Sequence, residues 1–221
     1  MTIEPVAVYS TLLHEKFGLP RQAGLAGSLE GLVSLRGDWA CADSLRGLEE
    51  FSHIWLIWGF HLNRPSGNRT VRPPRLGGNR RTGVFASRSP FRPNGLGMSA
   101  VEIVSIDFEK AEIKVKGADL ADGSPIFDIK PYIPYSDSIP AASPGYTALE
   151  WKKLRVIFPE GIDRVFAPER LEALGQILSL DPRPHYQDDP QREYGLLFAD
   201  RNIRFKVRDG VLEVLSFEER S

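Results

Sequence analysis

Apolar and polar positions alternate with a period of two along much of the chain, the spacing of strands with one face buried. Val6 and Val8 mark a first strand within Pro5 to Thr11, and Ile113 and Val115 mark another within Glu112 to Lys116. Gly83 to Ser87, Met98 to Ile106 and Ile126 to Lys130 read as further strands. The run Ile54-Trp55-Leu56-Ile57-Trp58-Gly59-Phe60-His61 is short, aromatic and β-branched, which predicts a buried strand with His61 at its end. A short helix is expected over Leu45 to Phe51, with Ser44 as its cap. Parallel strands would need crossover helices that are missing here, so the pattern favours an antiparallel barrel or sandwich over a doubly wound sheet.

The pattern changes near the middle of the chain. Ser136 to Gly145 is rich in Ser, Pro and Ala and reads as a linker, with a second unit starting near Ala148. That unit has a strand at Leu154 to Phe158. Its helix begins near Pro168, in the first turn where proline is tolerated, and carries Leu171, Leu174, Ile177 and Leu178 on one face. Asn202 to Arg208 and Val211 to Phe217 alternate about Asp209-Gly210, the signature of a hairpin with a primed turn. The expectation is a mainly β protein: an antiparallel β-barrel over 1–145 and a small α+β domain over 146–221.

Composition narrows the class. Among 221 residues, 42% are hydrophobic and 26% charged, as in ordinary globular proteins. No stretch approaches the roughly 20 apolar residues of a membrane-spanning helix. Met1-Thr2-Ile3-Glu4-Pro5 lacks a basic region followed by an apolar block, so the expected location is the cytoplasm, with no secretory signal. One cysteine, Cys41, excludes an internal disulfide and a multi-cysteine zinc site, and the four histidines have no ligand spacing, so no metal is expected.

Charge changes the picture further. The net charge is only −1, yet from Phe51 to Val101 there is no Asp or Glu, while Arg64, Arg69, Arg72, Arg75, Arg80, Arg81, Arg88 and Arg92 all fall there. Arginine's planar fork suits phosphate oxygens and stacks on bases. The stretch from Asn63 to Arg81 is too rich in Gly and Pro for helix, and long loops of that kind are usually functional. Gly77-Gly78-Asn79 allows close backbone approach and Phe91 offers a stacking surface, so nucleic-acid or phosphate contact is expected.

Gly95-Leu96-Gly97-Met98-Ser99-Ala100 fits the dinucleotide fingerprint with Ala last, and Asp119 lies about 20 residues further on. The context opposes that reading: Arg92-Pro93-Asn94 precedes it where a strand is required, and Val101-Glu102-Ile103-Val104 follows where a helix is required. No Walker lysine motif, HExxH or nucleophile elbow is present. His61 at a strand end reads either as a structural histidine or as a group at a barrel mouth. Asp119-Leu120-Ala121-Asp122-Gly123 reads either as an ordinary turn or, facing a pocket, as two carboxylates for ribose hydroxyls, a base amino group or a sulfonium charge.

Phe17 to Leu25, Gly47 to Trp55, Val71 to Asn79, Gly83 to Ser89, Phe91 to Asn94 and Asp122 to Tyr132 closely resemble the TrmO (TsaA-like) tRNA methyltransferases, in the family's order. The tail from Trp151, with Asp181-Pro182-Arg183-Pro184, resembles the C-terminal domain of the bacterial members. The resemblance implies a homodimeric β-barrel enzyme that uses S-adenosylmethionine to methylate N6 of threonylcarbamoyladenosine at position 37, in the anticodon loop of tRNA. It carries cofactor contacts to Gln22, Ala23, Gly24, His61, Leu62, Arg88, Met98, Asp119, Leu120, Ala121 and Asp122. The family pattern has Gln after the histidine and Pro after Arg-Pro-Asn, where this chain has Leu62 and Gly95.

Methyl transfer from sulfonium to nitrogen is an in-line displacement that needs neither metal nor covalent enzyme intermediate, so positioning and desolvation dominate. N6 is urea-like and a poor nucleophile, so removing its proton helps. Asp122, Asp128, His61 and Tyr132 are candidate bases or orienters. Arg69, Arg72, Arg75, Arg80, Arg81, Arg92 and, in the second domain, Arg183 are candidate RNA contacts. Two competing readings are a catalytically silent module that binds S-adenosylmethionine or RNA, and a purely structural tRNA-binding protein.

Overall fold

A computed structural model describes residues 2–64, 66–77, 79–149, 152–184 and 189–219. Gly78 and Trp151 lie outside the described residues. Six antiparallel strands close into a barrel, beginning with β1 (Ala7–Thr11), β2 (Glu30–Leu35) and β3 (His53–Gly59). A two-stranded arm, β4 (Thr70–Val71) with β5 (Thr82–Gly83), projects from the arginine-rich connection. The barrel continues with β6 (Leu96–Asp107), β7 (Glu112–Lys116) and β8 (Ser124–Pro131), in the closed order β1-β2-β7-β6-β3-β8.

The alternating residues fill the interior. Tyr9, Val33, Ile54, Leu56, Val101, Ile113, Val115, Leu120 and Ile126 are buried together. Two glycines make room for the largest rings. A Cβ on Gly31 would stand 2.1 Å from the Tyr9 hydroxyl, and one on Gly97 would stand 2.4 Å from the Trp58 ring. Gly97 therefore serves strand packing, and the segment Gly95 to Ala100 opens β6 rather than a helix, as the context argument required.

After one helical turn, α1 (Pro134–Asp137), the chain reaches β9 (Arg155–Ile157), α2 (Pro168–Ser179), β10 (Tyr194–Phe198), β11 (Arg201–Arg208) and β12 (Val211–Glu219). The sheet order is β10-β11-β12-β9, with β9 parallel to β12. Asp209 and Gly210 both have positive φ, 51° and 78°, as the primed turn between β11 and β12 demands. Leu174, Ile177 and Leu178 of α2 pack on this sheet, and Leu13, Ala26 and Leu29 from the connection after β1 enter the same core. The Gln176 side chain adds a reciprocal pair of bonds: its Oε1 accepts from the Ser28 N–H and its Nε2 donates to Ser28 Oγ, both at 2.8 Å.

Several expectations are corrected. Leu45 to Phe51 is not a helix but parts of two 3-10 turns, Ala42–Leu45 and Leu48–Glu50, because Gly47 between them adopts a left-handed φ of 84°. Ser44 lies inside the first turn, whose cap position is Cys41. Gly83 to Ser87 is not a strand: β5 ends at Gly83 and Val84–Ala86 forms a 3-10 turn. The strand of Ile54 starts at His53 and ends at Gly59, leaving His61 in the turn beyond it. β2 and β10 are additional, their periodicity weakened by Gly31 and Gly195.

Candidate active site

Antiparallel pairing gathers three connections at one rim of the barrel: residues 12–29 between β1 and β2, 60–95 between β3 and β6, and 117–123 between β7 and β8. Gly24 ties the first to the third, donating its N–H to the Gly117 carbonyl at 2.8 Å. Both glycines have positive φ, and a Cβ on Gly117 would stand 3.6 Å from Gly24 Cα, so the two backbones meet without side chains between them.

Beside this contact a polar relay runs out of the barrel. The Trp58 indole Nε1 donates to Ser99 Oγ at 3.0 Å, and Ser99 Oγ donates to Asp119 Oδ1 at 2.5 Å. Indole has only a donor, which fixes the direction of the first bond. Burial raises the Asp119 pKa above the ordinary carboxylate value, and the Ser99 hydroxyl, the positive charge of Arg88 and the Ala23 backbone partly oppose the rise. Arg88 in turn donates through Nη1 to Gln22 Oε1 at 2.6 Å. Gln22, Ala23, Arg88 and Asp119, distant in sequence, thus form one cluster.

A second cluster adjoins it along 121–124. Asp122 Oδ1 accepts from the Thr11 N–H at 3.0 Å, and its Oδ2 lies 3.0 Å from His14 Nδ1. Ser124 Oγ donates to the Ala121 carbonyl at 2.8 Å and lies 3.4 Å from His61 Nδ1. With the hydroxyl proton committed to Ala121, Ser124 can only accept from His61, so in the neutral ring the proton sits on Nδ1 and the lone pair on Nε2. That Nε2 faces Gly123, 3.7 Å from where a Cβ would stand.

The other expected residues are placed differently. Leu120 is fully buried among the barrel side chains and Ala121 nearly so, and the Ala121 carbonyl accepts from both the N–H and the Oγ of Ser124. Leu62 is 37% exposed on the rim. Met98, 56% exposed, sits on the opposite face of β6 from Ser99 and is paired with Ile57. Asp128 also pairs with Ile57, on the outer face of β8, and binds Lys130 Nζ at 2.9 Å. Tyr132 lies at the far end of the barrel, its ring 5.5 Å from Trp55 and 6.3 Å from His53. Asp128 and Tyr132 therefore do not join the rim groups.

The arginines divide as well. Arg92 Nη1 donates to the Ser87 carbonyl at 2.7 Å, and Arg75 Nη1 donates to the carbonyls of Thr147 and Leu149 at 2.5 and 3.1 Å. Arg183 forms a two-pronged pair with Asp181, at 2.8 and 2.9 Å, and is only 11% exposed. For these three, phosphate contact competes with partners inside the protein. Arg69, Arg72, Arg80 and Arg81 are exposed, with no side-chain partner among the described residues. No group of His, Cys, Asp and Glu among the described residues is arranged to hold a metal. His14, Ser99 and Ser124 were not singled out from the sequence, because a lone His or Ser in a loop or strand carries no local signal.

The rim offers carboxylates, a guanidinium, an amide and an imidazole. That donor set complements a ligand carrying a sulfonium, an ammonium, a carboxylate and ribose hydroxyls. Residues 8–138 match the family described as tRNA-methyltransferase O N-terminal domain, and residues 152–220 match the TrmO C-terminal domain. The chain is 39% identical over 229 residues to the tRNA (adenine(37)-N6)-methyltransferase of Escherichia coli K12, covering 98% of this chain and 97% of the relative. A Pseudomonas aeruginosa relative, also 39% identical, over 97% of this chain and 96% of its own length, carries the provisional name of an S-adenosylmethionine-dependent methyltransferase. The crystal structure of TrmO from P. aeruginosa superposes with a TM-score of 0.82 at 29% identity, covering 100% of this chain and 97% of that one.

Barrel, rim and relatives together define a β-barrel methyltransferase of the S-adenosylmethionine-dependent class. The chain belongs to the TrmO family, in both its N-terminal and its C-terminal domains.

Proposed function

We propose that this protein transfers a methyl group from S-adenosylmethionine to N6 of threonylcarbamoyladenosine at position 37 of tRNA, acting in the cytoplasm as a homodimer. The observation that carries the reading is the convergence of Gln22, Ala23, Arg88, Asp119, Asp122 and His61 at one rim, in a chain aligned end to end with an enzyme named for this adenine. Gln22, the backbone of 23–24 and 119–121, Arg88 and Asp119 would hold the cofactor, which supplies an electrophilic methyl on sulfur.

The protein's own part is to orient the target nitrogen and take its proton as the N–C bond forms and the S–C bond breaks. Asp122 already receives the Thr11 N–H and is engaged by His14, which suits an orienting role. His61 keeps a lone pair on Nε2, and this favours His61 as the proton acceptor. The exposed outer face around Met98 and Ile57 offers apolar surface for a second copy.

The test is mass spectrometry of position-37 nucleosides from tRNA incubated with protein and isotopically labelled cofactor. Label on threonylcarbamoyladenosine is expected. Leu62, in place of the family's Gln, is the feature that favours a catalytically silent module, and cofactor binding without incorporation would establish that reading instead.

A further inference from the structure

A cleft of about 640 Å³ is lined by residues of both units. Its walls come from three places: residues 16–21 of the barrel connection, Arg72 and Pro74 of the arginine-rich connection, and residues 180–184 after α2. Among the described residues four cations line it, Lys16, Arg21, Arg72 and Arg183, with one carboxylate, Asp181. Asp181 forms a two-pronged pair with Arg183. Lys16 and Arg72 have no side-chain hydrogen bond or ion pair among the described residues. Burial lowers the Arg21 pKa, and neighbouring Arg75 lowers it further against the pull of Asp181. Exposed Lys16 and Arg72 thus line a concave, partly apolar site, a setting that favours an anion.

We infer that this cleft is a phosphate-binding site, formed only where the two units meet, that anchors a backbone phosphate of the RNA strand next to the nucleotide held at the rim. The inference rests on the proposed tRNA substrate. Arg21 is joined directly to Gln22, so the cleft and the rim share one loop, and a strand with its base at the rim has a neighbouring phosphate beside Arg21 and Arg72. Prolines on two of the walls, Pro74, Pro182 and Pro184, keep the cleft shaped before the ligand arrives, which reduces the ordering cost of binding. A phosphate clamp of this kind positions the strand without reading its sequence.

The experiment measures affinity for a full-length tRNA over a salt series, using wild type, Lys16→Gln, Arg72→Gln, the charge-retaining Lys16→Arg and Arg72→Lys, and the control Lys110→Gln at the other end of the barrel. Each Gln variant is expected to lower the slope of log affinity against log salt by roughly 0.7 to 0.9, with the charge-retaining variants and the control at the wild-type slope. Calorimetry with S-adenosylmethionine should give the wild-type affinity for all of them, which shows that the rim is intact. Wild-type slopes in both Gln variants would overturn the cleft assignment while leaving tRNA methylation standing. Tight binding of AMP abolished by Arg72→Gln, with tRNA slopes unchanged, would assign the cleft to a free nucleotide and overturn the RNA strand. Failure of the wild type to bind any tRNA would sink the proposed function and this inference together.

Discussion

Ser99 Oγ donates to Asp119 Oδ1 at 2.5 Å, joining a strand residue of the barrel wall to a carboxylate on its rim. The bond holds a partly desolvated acid in place where the cofactor is proposed to sit. Because burial raises the folded-state pKa of Asp119 above its unfolded value, near about 3.9, the folded chain binds the proton more tightly than the unfolded one. Its contribution is fully present below the unfolded pKa and is lost as pH rises through the folded one. Asp119→Asn, which still accepts from Ser99, should therefore melt higher than wild type at neutral pH and show less loss of stability as pH rises above about 4. The same variant should bind S-adenosylmethionine at least about tenfold more weakly, about 1.4 kcal/mol. Melting curves over a pH series and calorimetry check the two halves separately.

Arg88 spans from the arginine-rich connection to Gln22 Oε1 at 2.6 Å. Arg88→Ala should weaken cofactor binding and methyl transfer while leaving most of the salt dependence of tRNA binding in place. Arg80→Ala and Arg81→Ala should do the reverse, each lowering the salt slope by roughly 0.7 to 0.9. A salt series paired with methyl-transfer rates separates the groups. Unchanged slopes for both Arg80→Ala and Arg81→Ala would make that part of the loop solvated surface.

Gly97 admits the Trp58 ring, with only 2.4 Å between a hypothetical Cβ and that ring. Gly97→Ala should cost about 1 to 3 kcal/mol, the range for overpacking a tight interior. Urea unfolding followed by tryptophan emission measures it. Wild-type stability would mean that β6 can shift to accept the methyl group.

Gln176→Ala removes both bonds to Ser28 and leaves the Ser28 N–H, in a partly buried site, without its partner. A loss of about 1 to 3 kcal/mol is expected, since an unmade bond costs the desolvation of the stranded group. Calorimetric melting should also show whether the barrel and the second unit still unfold together.

His61→Gln keeps a polar group near Ser124 but removes the basic Nε2 lone pair. If His61 accepts the proton from N6, the rate should fall by about 10²- to 10⁴-fold with cofactor affinity changed far less. Equal losses in rate and affinity would reassign His61 to cofactor binding.

Much of this protein was legible before folding was considered. The alternation at Ile113 and Val115, the Asp209-Gly210 turn and the apolar face of α2 are local patterns, and each formed as its spacing implied, whereas the strand marked by Val6 and Val8 formed with the opposite face, Ala7 and Tyr9, buried. The resemblance likewise pointed to Gln22, His61, Arg88 and Asp122, which the fold brings to one rim. What the sequence could not carry was anything decided by a distant partner. β2 has its alternation interrupted by Gly31, which is small because Tyr9 of another strand occupies the space. Leu45 to Phe51 had helical composition, but Gly47 turned left-handed and divided it. Eight arginines looked alike in one dimension, yet carbonyls of Ser87, Thr147 and Leu149 engaged two of them and left others exposed. Only closure of the barrel, which brings the connections 12–29, 60–95 and 117–123 to one rim, set His14 against Asp122 and Ser124 against His61. Side-chain period is a property of neighbours along the chain, whereas a site's hydrogen bonds join residues up to 111 positions apart, and only tertiary structure determines which residues those are.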